Sequence, residues 1–205
     1  MTKVLLATSN PGKLVEIQAL LQGAPVDLLL PSQINLDMVV DETGSTYAEN
    51  AALKGVAYAR ASGLLTLADD SGLEVEALNG LPGLHSARFA PQPGATDADR
   101  RAYLLEGLQG LPRPWTARFR CVVALVSPGQ PGSEQVRFAE GVCPGEVIPE
   151  ERGRNGFGYD PIFLIPELGR TMAELTMDEK NRLSHRARAV KAAFPVLLAM
   201  LESQT

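Results

Sequence analysis

Two acidic residues stand side by side in the stretch "LADDSGL", where the apolar run Leu64–Ala68 meets Asp69 and Asp70. Adjacent carboxylates repel each other, so the pair asks for an explanation. The bland one is a turn: Asp, Ser and Gly are turn formers, and "DDSG" then simply ends a strand. The chemical one needs a cation. A second acidic stretch, "DET" at Asp41–Thr43, precedes a helix pattern, where carboxylates also serve as solvated charges at a helix N-terminus. Taken together, Asp41, Glu42, Asp69 and Asp70 form a possible site for a hard metal. Mg²⁺ is held by a few carboxylates, retained waters and phosphate oxygens, and needs no Cys or His.

Three further stretches carry suitable chemistry. In "ATSNPGK", Ala7–Lys13, a strand runs into a small-residue loop and a helix starts at about Lys13. Such a loop aims backbone N–H groups and a helix N-terminus at whatever sits in it, which suits phosphate. Thr8, Ser9 and Asn10 add neutral donors, Pro11 and Gly12 shape the turn, and Lys13 adds a positive charge. The spacing is not that of a Walker loop, and an ordinary strand–helix turn is the competing reading. In "GRNGFGYDPIF", Gly153–Phe163, the glycines follow GxxGxG, which does not fit the dinucleotide fingerprint. Three glycines around Phe157 make a bend that exposes an aromatic face for stacking, while Asp160 and Pro161 fix the start of a strand, and Phe163 reads as core. "MDEKNRLSHRARAVK", Met177–Lys191, gathers Lys180, Arg182, His185, Arg186, Arg188 and Lys191 in an otherwise acidic chain. A solvated helix face accounts for Arg182, Arg188 and Lys191 and less well for "SHR".

The elements that would hold these stretches follow from periodicity. "KVLLA" is a strand, and "KLVEIQALLQG" a helix with Leu14, Ile17, Leu20 and Leu21 at helical spacing, stopped by Gly23. "VDLLLP" is a second strand. Thr46 and Glu49, in capping-box spacing, open an Ala-rich helix ending near Gly63. "LLTLADD" and "LEVEAL" are predicted as two strands around a "DDSG" turn. "TDADRRAYLLEGLQG" is a capped helix, and "TARFRCVVALV" and "EQVRFAEGVC" form a hairpin about "SPGQPGS". "PIFLI" is a later strand. From Met177 the chain is helical, with a kink or restart at Pro195. The whole suggests an α/β fold on a mixed sheet, and "FAPQPGATD" is the best candidate for a lobe boundary or mobile loop.

Composition narrows the classes. The chain has 205 residues, 45% hydrophobic and 21% charged, with a formal net charge of −5. That balance argues against coating nucleic acid but leaves room for a small anion held by local cations or a metal. No run approaches a membrane span, and "MTKVLLATSN" turns polar too early for an export signal. Two cysteines without CxxC spacing, Cys121 and Cys143, suggest reduced thiols in the cytoplasm and make a Cys/His zinc site improbable.

All four stretches, in this order, resemble the inosine triphosphate pyrophosphatase family, which hydrolyses dITP, ITP and XTP to the monophosphate and pyrophosphate. "TYAENAALKG" and "LPGLHSARFA" resemble it too, and the similarity runs from Lys3 to the C-terminal helix. The resemblance implies an elongated α/β fold, one domain over residues 1–205, with two lobes around a central cleft, usually dimeric. It implies a purine nucleoside triphosphate as partner, with Mg²⁺, or Mn²⁺ in its place, as cofactor. Thr8, Asn10 and Lys13 would hold phosphates, with Ser9, Pro11, Gly12 and Ser71 lining the site. Asp70 would be the catalytic carboxylate, and Asp41 or Glu42 would join it on the metal. Phe157, Gly158, Tyr159 and Asp160 would bind the base with Lys180, His185 and Arg186, the last three facing O6. Two rivals remain: a pyrophosphatase of the related septum-inhibitor type, and a non-catalytic nucleotide or RNA binder using the basic C-terminal segment. The spacing DxDx[TV] of haloacid-dehalogenase phosphatases is absent.

Overall fold

A computed structural model describes residues 2–129 and 132–202. Its strands join in one seven-stranded mixed sheet of order β2-β1-β3-β4-β5-β6-β7. The strands are β1 (Thr2–Ala7), β2 (Val26–Leu29), β3 (Leu65–Val75), β4 (Trp115–Ser127), β5 (Gln135–Val147), β6 (Phe163–Ile165) and β7 (Arg170–Thr171). The helices are α1 (Pro11–Leu20), α2 (Tyr47–Ser62), α3 (Asp97–Leu108), α4 (Met177–Leu183) and α5 (His185–Glu202). β1 pairs in parallel with both β2 and β3, and parallel neighbours need crossover connections, which α1 and α2 provide. β6 runs antiparallel to β5 and to β7. The predicted hairpin is present as β4 and β5, but Gln130 and Pro131 of its "SPGQPGS" loop lie outside the described residues.

Chain contacts gather into two compact units. The first comprises Met1–Asp70, Cys121–Gly141 and Arg186–Thr205; the second comprises Ser71–Arg120 and Val142–His185. Each has its own apolar core. In the first, Val4, Leu6, Leu65 and Leu67 pack with Ile17 of α1 and Ala189, Val190 and Leu197 of α5. Leu5, Ala7 and Ala68 pack instead with Tyr58 of α2. The alternation is the period-2 pleat: Leu65 and Leu67 of β3 face the α1 and α5 side, Ala68 the α2 side. In the second unit, Leu73, Leu104, Trp115, Phe119, Phe163 and Met172 contribute to one core, with Phe163 fully buried as expected.

Four local expectations are corrected. "DDSG" is no turn: β3 runs without a break from Leu65 through Asp69, Asp70, Ser71 and Gly72 to Val75. Pairing within the sheet overrides the turn preference of these residues. α1 starts at Pro11 and not Lys13, because Asn10 caps it and proline is at home in the first helical turn. The C-terminal helix restarts after Ser184, whose backbone is extended (φ −64°, ψ 155°), and not at Pro195, which lies inside α5. "FAPQPGATD" falls wholly within the second unit, and the boundaries cut instead through β3, β4 and β5 and between His185 and Arg186.

Candidate active site

The register Ala7↔Ala68 sets Asp69 and Asp70 one and two residues beyond the end of β1, where the chain turns into the Thr8–Asn10 loop. Ligands of parallel α/β sheets collect at this C-terminal edge. Because β3 stays extended, the two acids point to opposite faces and meet different neighbours. Asp69, fully buried, faces the α1 and α5 side. Its Oδ2 lies 3.1 Å from Lys13 Nζ and 3.3 Å from Arg186 Nε, and accepts the Cys121 thiol at 3.8 Å. Asp70 faces α2 and accepts a hydrogen bond from Asn50 Nδ2 at 3.1 Å.

The same split separates their acidities. Burial alone would raise the pKa of Asp69, but Lys13, Arg186 and Lys54 reverse this and hold it well below the usual carboxylate range. For Asp70 burial wins, assisted by the negative charge of Glu42 against Lys13, Asn50 and Lys54, and its pKa is raised. Neighbouring acids pushed apart in this way take different roles. Asp69 is an ion-pair anchor. Asp70 is the stronger base.

Behind Asp69 lies a buried charge chain. Lys13 and Glu16 share a face of α1, three residues apart. Glu16 pairs with Arg186 Nη1, and both side chains are buried. Glu16 was not among the sequence candidates; its place among apolar residues of α1 was the available signal. Lys54 was also missed. It stands one turn after Asn50 on α2, pairs with Glu42, and keeps its charge: burial pulls its pKa down, and Asp69, Glu42 and Asp70 together raise it above the ordinary value. The spacing of Asn50 and Lys54 in "AENAALKG" carried that information.

The phosphate loop differs from expectation in one respect. Asn10 Oδ1 accepts the N–H groups of Gly12 (2.9 Å) and Lys13 (3.1 Å), and Asn10 N–H donates to Thr8 Oγ1 at 3.2 Å. Those two amides are taken up by the Asn10 cap. Beside the loop a groove of about 670 Å³ is lined by Thr8, Ser9, Pro11, Leu14, Asn35 and Tyr58 among others.

For the metal, Asp41 is exposed, while Glu42 is half-buried and near enough to act on Asp70. Among the described residues no group of three or more His, Cys, Asp and Glu is gathered for a metal. Glu42 and Asp70 nonetheless suit a hard divalent ion. Their donors are oxygens, and a positive ion would relieve both the burial and the mutual repulsion that raise Asp70.

The base-site candidates of the second unit group around Asp160. Its Oδ2 lies 2.5 Å from Lys180 Nζ, with both side chains buried, and accepts the Phe157 N–H at 2.9 Å. Lys180 Nζ stands 5.3 Å from the centre of the half-buried Phe157 ring. Gly156 is required there: its φ is +75°, and a Cβ would meet the Asp160 carboxylate. Tyr159 turns inward, its hydroxyl donating to Ser86 O at 2.9 Å, so it is a packing residue and not an open base contact. His185 is buried and stacked on Phe119, with centroids 4.7 Å apart. Arg186, one residue on, belongs to the first unit, where Glu16 and Asp69 engage its guanidinium.

The sequence model of the Ham1 family matches residues 4–196. A dITP/XTP pyrophosphatase of Desulforamulus reducens is 45% identical over 196 residues, 95% of each chain. One of Nostoc sp. is 47% identical over 205 residues, covering 99% of this chain and 98% of that one. A solved HAM1 protein from Coxiella burnetii is similar with a TM-score of 0.86 at 41% identity, covering 97% of this chain and 100% of that one. The Staphylococcus aureus Ham1 protein is similar at 0.82 and 37% identity over 100% of both. With a family match over nearly its whole length and relatives of this identity, the chain belongs to the Ham1 family.

Proposed function

We propose that the chain hydrolyses dITP, ITP and XTP to the nucleoside monophosphate and pyrophosphate, in a Mg²⁺-dependent reaction. The observation that carries this reading is the divided acid pair: Asp69 tied to Lys13 and Arg186, Asp70 turned to the other side of β3 beside Asn50 and within reach of the charge of Glu42. Asp70 accepts a proton from the attacking water, which adds to phosphorus as the α–β anhydride breaks and pyrophosphate leaves. Lys13, oriented by Asp69, and Lys54 supply positive charge for the phosphates, with Thr8, Ser9 and Asn10 beside them. Glu42 and Asp70 would hold the metal, which supplies charge stabilisation for the phosphate oxygens. Phe157 serves as the stacking platform. Lys180, held over it by Asp160, is the first candidate to face O6 of a 6-keto purine, with His185 and Arg186 as the further candidates. Lys180 has only donors, so it suits an O6 acceptor and not the amino group of adenine.

The enclosing setting is part of the same proposal. Neither Cys121 nor Cys143 forms a disulfide and both are buried, which fits a reducing compartment such as the cytoplasm. No described helix is long and apolar enough to cross a membrane. The homodimer remains proposed on the resemblance.

Product analysis with ITP is the deciding experiment. IMP and pyrophosphate are expected, with activity lost on chelation and restored by Mg²⁺ or Mn²⁺. IDP and phosphate as products, or full activity after rigorous chelation, would refute the reading. A second measurement concerns the phosphate loop. Lys13→Ala is expected to weaken ITP by about 10- to 100-fold, as a charge-assisted contact of roughly 1.5–3 kcal/mol implies, while IMP binding changes little. An equal loss for both ligands would confine Lys13 to its pairing with Asp69.

A further inference from the structure

The Phe157 loop is gripped by a helix to which no role has been given. Gly153, Gly156 and Gly158 all sit at positive φ, and a segment so rich in glycine gives up much backbone freedom on ordering. Phe157 lies between two of these glycines, so the peptides on either side of it set where its ring points. On the near side Asp160 accepts the Phe157 N–H. On the far side the holds come from the first turns of α3. Asp97 Oδ2 accepts the Gly158 N–H at 2.7 Å, and Arg101 Nη1 donates to the Gly158 carbonyl at 2.8 Å. Asp97 and Arg101 are one helical turn apart, on one face of α3, and take both polar groups of the same residue.

Arg101 is itself fixed. Its Nε and Nη2 donate to the two carboxylate oxygens of Glu151 at 2.8 and 2.9 Å. This planar fork leaves the third edge of the guanidinium aimed at Gly158. Asp97 is held by Arg100 and by its place at the start of a capped helix, where Thr96 and Asp99 close a capping box. The Arg101 side chain is 12% exposed although its partner Glu151 is 47% exposed. A pair formed only for solubility would leave both side chains open to water.

We infer that Asp97 and Arg101 are positioning residues for the nucleotide base, acting through the Gly158 peptide on the orientation of Phe157. The inference rests on the reading of Phe157 as the stacking platform. Loosening the grip lets the ring sample other directions, which weakens binding in the ground state and the transition state alike. The signature of such a loss is a raised KM with kcat nearly unchanged.

The experiment is steady-state kinetics with ITP on Arg101→Ala, Arg101→Lys, Phe157→Ala and the Arg101→Ala/Phe157→Ala double variant, with amide exchange at Gly158 measured in parallel. Arg101→Ala is expected to raise KM on the order of 10-fold, to change kcat less than about twofold, and to speed exchange at Gly158. Arg101→Lys recovers part of the KM, since an ammonium reaches the carbonyl but cannot hold the fork. The double variant is no worse than Phe157→Ala alone, because the clamp acts only through that ring. An unchanged KM in Arg101→Ala beside a raised one in Phe157→Ala overturns the clamp and spares the platform. Unchanged KM in both overturns the platform and the clamp with it. Additive losses in the double variant, or faster Gly158 exchange without a change in KM, overturn the clamp.

Discussion

Asp70→Asn is expected to yield a folded protein that still binds ITP but turns it over on the order of 10²–10⁴-fold more slowly, the range of general-base catalysis. The substitution keeps shape and an oxygen acceptor for Asn50, so the packing against α2 survives. What goes is the proton acceptor and one negative charge beside Glu42. The informative control is Asp69→Asn, one residue away on the same strand. There the loss should fall mainly on stability, with a smaller kinetic loss through Lys13, because Lys13 and Arg186 both rely on that carboxylate. Near-normal turnover in a folded Asp70→Asn protein would remove Asp70 from the role of base. Equal kinetic losses at both positions would mean that the two acids are not divided in function.

Arg186→Ala is expected to destabilise the protein by about 3–5 kcal/mol, the range seen when one partner of a buried ion pair is removed. The guanidinium lies between Glu16 and Asp69, with 2% of its side chain exposed against 3% and 0% for theirs. Its removal takes a shared cation away from two buried carboxylates, Glu16 and Asp69. Domains of this kind are stable by roughly 5–15 kcal/mol in total, so the variant should show a large fall in its urea midpoint. Arg186→Lys should lie between, since one ammonium cannot serve two carboxylates as a fork does. A loss below about 1 kcal/mol would reduce the charge chain to the worth of a surface pair. The same protein, assayed with ITP and ATP below its unfolding temperature, tests the base contact. Both substrates slowed alike assigns Arg186 to the charge chain alone, whereas a fall in the ITP-to-ATP ratio adds a contact with O6.

Much of this was legible in the order of the residues, because it depends on near neighbours. Asn10, Thr46 and Thr96 cap helices over a few positions. Apolar spacing marked the strands and helices, and four motifs in order pointed to the family that the comparisons bear out. Glu42 rather than Asp41 as the acid beside Asp70 was not legible, since both precede α2 and only burial separates them.

The remaining features depend on residues far apart in the chain. "DDSG" has the composition of a turn, yet its ladder with neighbouring strands keeps it extended. That single fact sends Asp69 towards α1 and α5 and Asp70 towards α2, and so gives adjacent identical side chains opposite acidities. Glu16 and Arg186 stand 170 residues apart, and no local propensity links them. "SHR" reads as one basic cluster, but the extended backbone at Ser184 ends one helix and His185 and Arg186 begin another in different units. Propensity acts through a few successive peptides. Ion pairing and desolvation are set by whichever residues the sheet and its crossovers bring alongside, so the sequence named the chemistry and the tertiary structure divided it between residues.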